Sequence, residues 1–441
     1  MPASKIMTAT PEHPATSASG TDRQGQAQKA ATPASDRCPL TSAPNPPRLK
    51  VGLLTGGMDK HYSIGLALAL VAEGVSVDFI GSDFVDGPEL HNSPLVNFLN
   101  LRGDQRERVA IGRKILRLLT YYWRLVRYAA VTQTTLFHIQ WNNKFEVFDR
   151  TLLMWYYRWL GKKIVFTAHN VNAGQRDACD NWLNRWTLKI QYGLCDHILV
   201  HTARMKDELV TEFGVRADRV TVIPYGINNA IPATRITASE AKQRLGVPPR
   251  EKTILFFGHI APYKGLDYLV AALGEHIRER EEFRLIIAGV VKKGHEDYWA
   301  NIQRIISRWG IKERIIEKIE HIPDAEVELY FKAADVLAMP YTHIFQSGVL
   351  FLAYSFGLPV IATDVGSLKE DVIEGKTGLV CRPQDPVALA KCLETYFSSE
   401  LYQQLAARRQ DIQAYANERH SWARSAAITT KVYSELRKAD A

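Results

Sequence analysis

Residues 336–363 read VLAMPYTHIFQSGVLFLAYSFGLPVIAT and contain no Asp, Glu, Lys or Arg, although 23% of the chain is charged. A transmembrane helix needs about 18 or more apolar residues, but prolines, glycines and serines break this run into short pieces. We therefore predict a strand at 335–339, a polar turn at 341–347, a helix at 348–356 and a strand at 358–363. Continuous apolar strands are typical of parallel sheets covered on both faces, which indicates the α/β class.

The rest of the chain alternates strands and helices in two series. The first series starts with RLKVGLLTGG at 48–57, and the second starts with KTILFFGHI at 252–260. Further strands are predicted at 75–81, 135–141, 162–170, 195–202, 219–226, 283–289, 314–319, 335–339 and 359–364. The chain is predicted to end in helices at 386–397 and 399–438. Such alternation is typical of βαβ units in two open parallel sheets, which bind ligands at the carboxyl ends of their strands.

The length of 441 residues suits two domains. We predict an N-terminal domain at 48–226, a linker at 227–251, a C-terminal domain at 252–420 and a last helix at 421–441. Residues 1–47 are rich in Ala, Thr, Ser, Pro and Gln without apolar periodicity, so this tail is predicted to be disordered. The tail has no apolar segment typical of a secretory signal.

The net charge of +8 lies mainly in residues 48–226, which hold 23 Lys and Arg against 17 Asp and Glu. A basic half is typical of proteins that bind nucleic acid or an anionic membrane surface. No nucleic-acid-binding motif is visible, so we do not expect nucleic acid as a partner. The five cysteines are scattered without a CxxC pair, which favours free thiols in the cytoplasm.

Two loops that follow predicted strands are candidate anion sites. Gly56 and Gly57 precede a helix, where glycine lets backbone amides approach a phosphate and the helix dipole favours negative charge. Gly258, His259 and Lys264 follow the first strand of the second series, and a cation there could neutralise a diphosphate leaving group. The alternatives are a plain strand-to-helix turn for the first loop and a solvated lysine for the second.

A third loop belongs to the charge-free stretch, where Gln346, Ser347, Gly348 and Val349 begin the predicted helix. Amides at that N-terminus could hold a phosphate or sugar hydroxyls, although Ser347 could equally cap a buried helix. His169 follows another strand and is a candidate catalytic group, with a structural role as the alternative. The chain has no DxD and no HExxH, so we expect no metal and no other cofactor.

In combination, these segments resemble a family 4 glycosyltransferase with the GT-B fold over residues 49–435. The resemblance rests on FFGHIAPYKGLDYLVAAL, VIPYGIN, ADVLAMPY and SFGLPVIATDVGSLKEDVIEGKTGLV, which follow the family's order and rough spacing. GGMDKHY and TAHNV resemble the family's N-terminal donor loop and histidine. The resemblance implies two Rossmann-like domains whose parallel sheets face each other across a cleft. It also implies sugar transfer from a nucleotide donor, with retention at the anomeric carbon and without a required metal.

The resemblance also implies roles for the candidate residues. Gly57 would lie beside the donor phosphates and Lys264 would contact the diphosphate. His169 would bond to the donor sugar near the reacting carbon, and the amides of 346–349 would hold that sugar.

The chain departs from the family at three donor contacts. Ile344 and Leu352 stand where the family has two glutamates eight residues apart, and His259 replaces the usual arginine. We expect an active branch that uses Gln346, Ser347 and backbone amides instead, because the lysine, the histidine and both glycine loops remain. Loss of activity is the alternative.

Residues 111–130, IGRKILRLLTYYWRLVRYAA, carry apolar side chains at helical spacing together with aromatic residues, five cations and no acid. Cations near lipid phosphates and rings at the boundary suit a membrane interface, so this helix is predicted to face a membrane or the acceptor. The residues proposed for that contact are Arg113, Lys114, Arg117, Trp123, Arg124 and Arg127. An ordinary domain helix with a basic outer face is the alternative.

The sequence thus predicts a retaining hexosyltransferase that uses a nucleotide-sugar donor and a glycan or lipid-linked acceptor. We expect it in exopolysaccharide or glycolipid synthesis, in the cytoplasm or at the inner face of the membrane. Two other hypotheses stay open: a GT-B nucleotide-sugar epimerase, and a catalytically impaired relative that acts as a binding protein.

Overall fold

The structure is a computed structural model that describes residues 49–57, 59–105, 110–176, 180–227, 231, 234–276, 280 and 282–438. The tail at 1–47, which is predicted to be disordered, lies outside the described residues. Among the residues described, Cys195, Cys381 and Cys392 are free thiols.

The described residues of the first half form one parallel sheet of seven strands. Its strands are β1 Lys50–Leu54, β2 Ser76–Gly81, β3 Val96–Asn100, β4 Leu136–Ile139, β5 Lys163–Thr167, β6 His197–Val200 and β7 Val220–Val222. The strand order is β3-β2-β1-β4-β5-β6-β7. The order reverses between β1 and β4, which is the position where an open α/β sheet binds ligands.

In the second half, the described residues form a parallel sheet of six strands. These are β8 Lys252–Phe257, β9 Phe283–Ala288, β10 Ile315–Lys318, β11 Val336–Met339, β12 Val360–Thr363 and β13 Gly378–Cys381. The order is β10-β9-β8-β11-β12-β13, so the corresponding reversal lies between β8 and β11. The prediction of two Rossmann-like parallel sheets is confirmed.

Helices connect the strands of both sheets. In the first half they are α1 Lys60–Ala72, α2 Pro88–His91, α3 Ile111–Val131, α4 Glu146–Phe148, α5 Met154–Trp159, α6 Ala173–Arg176, α7 Trp182–Leu194 and α8 Ala203–Phe213. Helix α9 Ala238–Arg244 comes between the two sheets in chain order. A π-helical turn, Asp149–Leu153, joins α4 to α5. In the second half they are α10 Leu266–His276, α11 Glu296–Trp309, α12 Asp324–Ala333, α13 Gly348–Ser355, α14 Leu368–Asp371, α15 Pro386–Ser398, α16 Glu400–Gln403, α17 Leu405–Arg419 and α18 Trp422–Lys438. Helix α9 packs against α12 of the second half.

The charge-free stretch forms β11, α13 and β12 at the centre of the second sheet, as predicted. Every residue of β11 and β12 is buried, and so are the middle residues of α13. Burying an unpaired charge there would cost several kcal/mol, which explains why the stretch lacks charge. No helix in the described part of the chain is long and apolar enough to cross a membrane.

The structure corrects two details of the predicted element list. Strands β3 and β13, at the edges of the two sheets, were not predicted. The helix predicted at 399–438 is not continuous, because the chain bends after Gln403 and again at His420 to give α16, α17 and α18.

The last helix returns to the first sheet. Helix α18 packs against α1, and the Trp422 indole nitrogen donates to the Ile227 carbonyl at 2.9 Å. The same indole fills the space in front of Gly65 and Gly226, where a Cβ would lie 2.5 and 2.2 Å from its ring. Tyr433 of α18 also bonds to the buried His138 of β4.

The two halves also touch through the loop that leads to α14. The Ser367 hydroxyl donates to the Thr202 hydroxyl at 2.9 Å, and Arg204 donates to the Gly366 carbonyl at 3.0 Å. Phe345, from the charge-free stretch, lies among the core residues of the first half and is only 5% exposed.

Candidate active site between the two sheets

The first glycine loop lies at the reversal point of the first sheet. Gly56 and Gly57 have positive φ angles of 61° and 65°, and a Cβ on Gly56 would lie 3.0 Å from the Trp141 carbonyl. A Cβ on Gly57 would lie 3.0 Å from the Arg102 side chain, so the loop needs both glycines. The Gly57 amide donates to the Thr55 hydroxyl at 3.1 Å and is therefore already used. Contact of Gly57 with donor phosphates stays a prediction.

His169 follows β5 and lies in an aromatic cluster. Its imidazole stacks on Trp141, with ring centroids 4.1 Å apart, and meets Tyr62 edge-on at 4.5 Å. Its Nδ1 atom is 3.2 Å from Nε2 of His201. Its Nε2 atom is buried and has no hydrogen-bond partner among the described residues. The second ring nitrogen is therefore available to a ligand.

Burial keeps both histidines of this cluster neutral. Desolvation, with a smaller contribution from His201, lowers the pKa of His169 well below its ordinary value of 6.5. Burial likewise lowers the pKa of His201 to about 4. At pH 7 the His169 imidazole is thus a neutral group that can donate or accept one hydrogen bond.

Lys264 belongs to the loop after β8, at the reversal point of the second sheet, and contacts the loop after β11. Its side chain is only 6% exposed. The ammonium group donates to the Tyr341 hydroxyl and lies 4.0 Å from the centre of that ring. Gly265 has a φ of 65°, and a Cβ there would lie 1.9 Å from the Pro340 carbonyl. The backbone therefore holds this buried cation close to the charge-free stretch.

The loop at 346–349 lies beside this lysine. Ser347 occupies the N-cap position of α13 but makes no capping hydrogen bond, and its hydroxyl is 3.5 Å from the Tyr341 hydroxyl. A Cβ on Gly348 would lie 3.2 Å from the Tyr225 hydroxyl of the first half. Val349 lies 3.7 Å from the Cβ position of Gly258. The structure thus brings Gly258, Lys264 and this loop together.

Tyr225 connects this loop to the histidine cluster. Its ring stacks on Phe351 of α13 at 4.9 Å and meets His201 at 4.9 Å and His169 at 6.4 Å. The predicted catalytic histidine and the predicted donor loop are therefore neighbours across the cleft. His259, in contrast, is exposed beyond the end of β8.

The two positions that lack the family's glutamates are apolar and buried. Ile344 and Leu352 are each 8% exposed, so neither position offers a carboxylate. The amide of Gln346 instead donates to the Asp371 carboxylate at 3.4 Å. Burial raises the pKa of Asp371 to about 7. Asp371 was not among the predicted site residues.

A cavity of about 850 Å³ opens beside His169, mainly between residues of the first half. Its wall includes the residues that follow β4, which are Trp141, Asn142 and Asn143. It also includes Arg102, which follows β3, and Gln191 of α7. Lys293 of the second half also lines the cavity. A volume of this size suits a ligand of a few hundred daltons.

The α3 residues that are predicted to face a membrane or the acceptor fall into two groups. Lys114 and Arg117 line the cavity, and Arg117 pairs with Asp104 at 3.4 Å. Arg113, Trp123, Arg124 and Arg127 are exposed and do not line it. In the described part of the chain, no group of three His, Cys, Asp or Glu side chains is placed to hold a metal ion.

Two open parallel sheets, each with its candidate loops at the carboxyl ends of its strands, define a protein of the GT-B fold class. Residues 56–230 match the Glycosyltransferase Family 4 model, and residues 251–399 match the Glycosyl transferases group 1 model. Because both halves match domains of this kind, the chain belongs to the family 4 glycosyltransferases.

Curated relatives agree with this assignment. The D-inositol 3-phosphate glycosyltransferase of Streptomyces scabiei is 31% identical over 244 residues, which is 54% of each chain. The protein of the same name from Corynebacterium efficiens is 28% identical over 287 residues, or 63% of this chain and 66% of the relative. The chain spans about half the length of most of the curated relatives reported for it.

Solved structures share the fold across the described halves. Sucrose-phosphate synthase from Thermosynechococcus elongatus superimposes with a TM-score of 0.68 at 20% identity, covering 89% of this chain and 100% of the other. HepE of Anabaena in complex with UDP-glucose gives a TM-score of 0.65 at 19% identity, covering 87% of this chain and 100% of the other. Both similarities concern the fold alone.

Proposed function

We propose that this protein transfers a hexosyl group, with retention at the anomeric carbon, from a nucleotide sugar to an acceptor in the cavity. The observation that carries the proposal is the buried Lys264 ammonium beside the loop at 346–349. His169 lies on the opposite side of the cleft, and Tyr225 contacts both this histidine and that loop. A buried cation next to the N-terminal amides of a helix suits a diphosphate and its sugar.

Each group has a role in this proposal. Lys264 stabilises the negative charge that develops on the diphosphate as the sugar–phosphate bond breaks. The unpartnered Nε2 of His169 bonds to the donor sugar near the reacting carbon. Gln346, held by Asp371, and the amides of α13 bind the sugar hydroxyls in place of the missing glutamates. No step in this proposal requires a metal ion.

The comparisons support a nucleotide-sugar donor and a sugar or glycan acceptor. One structural neighbour was solved with UDP-glucose, which makes a UDP-sugar the first donor to test. Curated relatives are named for an inositol phosphate acceptor, and another neighbour is named for sucrose phosphate synthesis. For this chain we propose a glycan or lipid-linked acceptor, in polysaccharide or glycolipid synthesis at the cytoplasmic side of a membrane.

The first experiment measures thermal unfolding of the full chain with UDP-, GDP- and ADP-sugars. A ligand that binds only the folded state stabilises it by about 2.7 kcal/mol at about a hundredfold excess over its Kd. We expect one donor to raise Tm in the wild type and in Lys391→Ala, an exposed control on α15, but much less in Lys264→Ala. No shift with any donor would favour the binding-protein hypothesis. Conversion of the donor sugar without an acceptor would favour the epimerase.

We also propose that the outer surface of the first half docks on an anionic bilayer. Three packed helices, α3, α5 and α7, each expose tryptophan side chains. Tyr156 of α5 donates to the Val126 carbonyl of α3 at 3.2 Å, and α5 packs against α7. The exposed residues are Trp123, Trp155, Trp159, Trp182 and Trp186, with exposed fractions between 52% and 80%. We call this set the tryptophan face.

The chemistry of the tryptophan face fits lipid headgroups better than water. Tryptophan concentrates at membrane–water interfaces, and exposed apolar patches mark interaction sites. The exposed cations Arg113, Arg124, Arg127 and Lys189 lie on the same helices, which supplies charge complementarity to anionic lipid. The exposed Ile111 and Leu116 extend the apolar area along α3.

Co-sedimentation with vesicles tests the tryptophan face. We expect binding to vesicles with about one third phosphatidylglycerol and little binding to pure phosphatidylcholine, because anionic lipid attracts basic segments. The variant Trp155→Ser/Trp159→Ser should lose most of this binding, whereas Phe84→Ser, at an exposed site outside α3, α5 and α7, should keep it. Equal binding of both variants would contradict the proposal.

A further inference from the structure

The cavity beside His169 carries an excess of positive charge. Six cations line it: Arg102, Lys114, Arg117, Lys144, Arg150 and Lys293. Only two acids line it, Asp104 and Glu146. The balance of six cations against two acids leaves four positive charges around a volume of about 850 Å³.

Both acids of the cavity wall are already paired. Asp104 lies 3.4 Å from Arg117, and Glu146 lies 2.6 Å from the buried Arg150. These two acids therefore do not compensate the charge of the other four cations. The buried Asp149, which is not part of the cavity lining, has a favourable charge interaction with Arg102. Like charges gathered around one cavity repel one another, and a bound anion relieves this repulsion.

Several polar atoms of the cavity wall are buried without a hydrogen-bond partner among the described residues. They belong to Arg102, Gln140, Arg150, His169 and Asn170. Three of the five are nitrogen donors of arginine and glutamine side chains: Nη1 of Arg102, Nε of Arg150 and Nε2 of Gln140. A buried unmade hydrogen bond costs about 1–3 kcal/mol, more for a charged group. Unpartnered donors on a cationic wall therefore indicate an anionic ligand rich in acceptor oxygens.

Arg102 is the residue that best fixes the position of this anion. Its guanidinium lies 5.5 Å from the centre of the Tyr121 ring and packs against the Cβ position of Gly57. Arg102 also lines the cavity. Arginine offers paired donors that match the geometry of phosphate oxygens.

We propose that the acceptor carries a phosphoryl group, which Arg102 binds with help from Lys144 and Lys114, while its reacting hydroxyl lies toward His169. This inference rests on the proposed function, because it names the class of acceptor for the same site. The shared chemistry is a phosphate or diphosphate ester. Its source is either a polyprenyl diphosphate-linked sugar or a water-soluble sugar phosphate.

Titration calorimetry on the full chain tests the proposal with four probes. Farnesyl diphosphate and farnesol represent the lipid-linked source, and glucose 6-phosphate and glucose represent the soluble source. We expect at least one phosphorylated probe to bind at least about tenfold more tightly than its neutral partner, the range of one charge-assisted hydrogen bond. The pair with the larger difference identifies the source.

Three variants place this binding in the cavity. Arg102→Gln should raise the Kd of the phosphorylated probe about tenfold, and Arg102→Gln/Lys144→Gln should raise it further. Lys431→Gln, an exposed control on α18, should leave the Kd unchanged. Lys264→Ala should also leave it unchanged, which separates the cavity from the donor diphosphate site. Thermal unfolding of each variant verifies that it is folded.

Equal binding of phosphorylated and neutral probes would overturn the proposal. The proposal would also fail if Lys264→Ala raised the Kd of the phosphorylated probe while Arg102→Gln left it unchanged, because the probe would then occupy the donor site. If Arg102→Gln proves unfolded, Lys144→Gln and Lys114→Gln, at exposed positions, carry the same test. Failure of the proposed function is separate, since it would show as loss of nucleotide-sugar binding.

Discussion

The imidazole of His169 lies face to face on the indole of Trp141, with 4.1 Å between the ring centroids and 5° between the ring planes. The stack and the contact with His201 fix the direction of the unpartnered Nε2 atom. Trp141 is therefore a positioning residue for the proposed reaction.

We predict that Trp141→Leu lowers kcat by about 10- to 100-fold, since small misplacements of a reacting group cost about this much. The KM for the nucleotide sugar should change less than kcat, because in this proposal the donor keeps its contacts with Lys264 and with the loop at 346–349. Trp141→Phe keeps an aromatic surface under His169 and should recover most of the rate. Steady-state kinetics with the donor identified by thermal unfolding measures both constants. Equal kcat values for the two variants would remove the stack from the mechanism.

Lys264 gives the second prediction. Lys264→Ala removes a buried cation from the proposed diphosphate site, so turnover should fall by about 10²–10³-fold. The pH optimum should stay in place, because the loss is electrostatic stabilisation and not a proton-transfer group. Lys391→Ala on the outside of α15 serves as the matched control for the loss of one lysine. Turnover of Lys264→Ala within about twofold of the control would exclude the proposed role of this lysine.

The sequence selects a candidate residue most directly where that residue follows a strand that is itself predicted. His169, Lys264 and the loop at 346–349 were selected this way, because strand ends can be read from apolar runs. Arg102 was missed because it follows β3, a half-exposed edge strand with a mixed pattern, VNFLN. Alternation in that segment is limited to Val96, Asn97 and Phe98, which is too short to indicate a strand.

Trp141 and His201 show a second limit. Both lie at the ends of predicted strands, 135–141 and 195–202, so the rule that selected His169 at the end of 162–170 would also have selected them. Their importance comes from the order of the sheet, which places β4, β5 and β6 side by side. One chain does not reveal strand order, and therefore the stack on His169 was not predictable. Asp371 likewise needed the fold, which brings it to Gln346 from 25 residues away.

Asp371 gives a prediction about pH. Burial raises its pKa from 3.8 to about 7, so this group favours folding fully below its unfolded pKa, and that contribution is lost as pH rises through about 7. Asp371→Asn should therefore gain stability relative to the wild type on going from pH 5 to pH 8. At 1.36 kcal/mol per pKa unit the gain is on the order of 1–4 kcal/mol. Denaturant unfolding at the two pH values measures it, and a constant difference would contradict the buried carboxylate.

The buried histidines act in the opposite direction. Burial lowers the pKa of His138 to about 3, and those of His201 and His420 to about 4, from an ordinary 6.5. Their neutral forms favour folding above the unfolded pKa of 6.5, and this stability is lost as pH falls toward the folded pKa values. We predict a steep loss of stability between pH 6.5 and about 4. His138→Gln should make the decline shallower in the same unfolding series, whereas substitution of the exposed His91 should not.

Phe345 gives the last prediction, which concerns how the two halves are held together. It belongs to the charge-free stretch of the second half, yet it lies in the core of the first half. Its carbonyl accepts a bond from the Ser367 amide at 2.9 Å, and the Ser367 hydroxyl in turn donates to Thr202 at 2.9 Å. Removing a buried phenylalanine costs about 3–5 kcal/mol, and here the loss falls on the contact between the halves.

Phe345→Ala should therefore lower Tm by several degrees and increase the radius of gyration in small-angle X-ray scattering. It should also weaken nucleotide-sugar binding, because Gln346 and Ser347 follow directly and depend on its position. Phe84→Ala is the matched control, since that ring is 58% exposed. Scattering curves that coincide for the two variants would show that Phe345 does not hold the halves together. In that case the donor loop would have to be ordered by its bonds to Tyr341 and Asp371 alone.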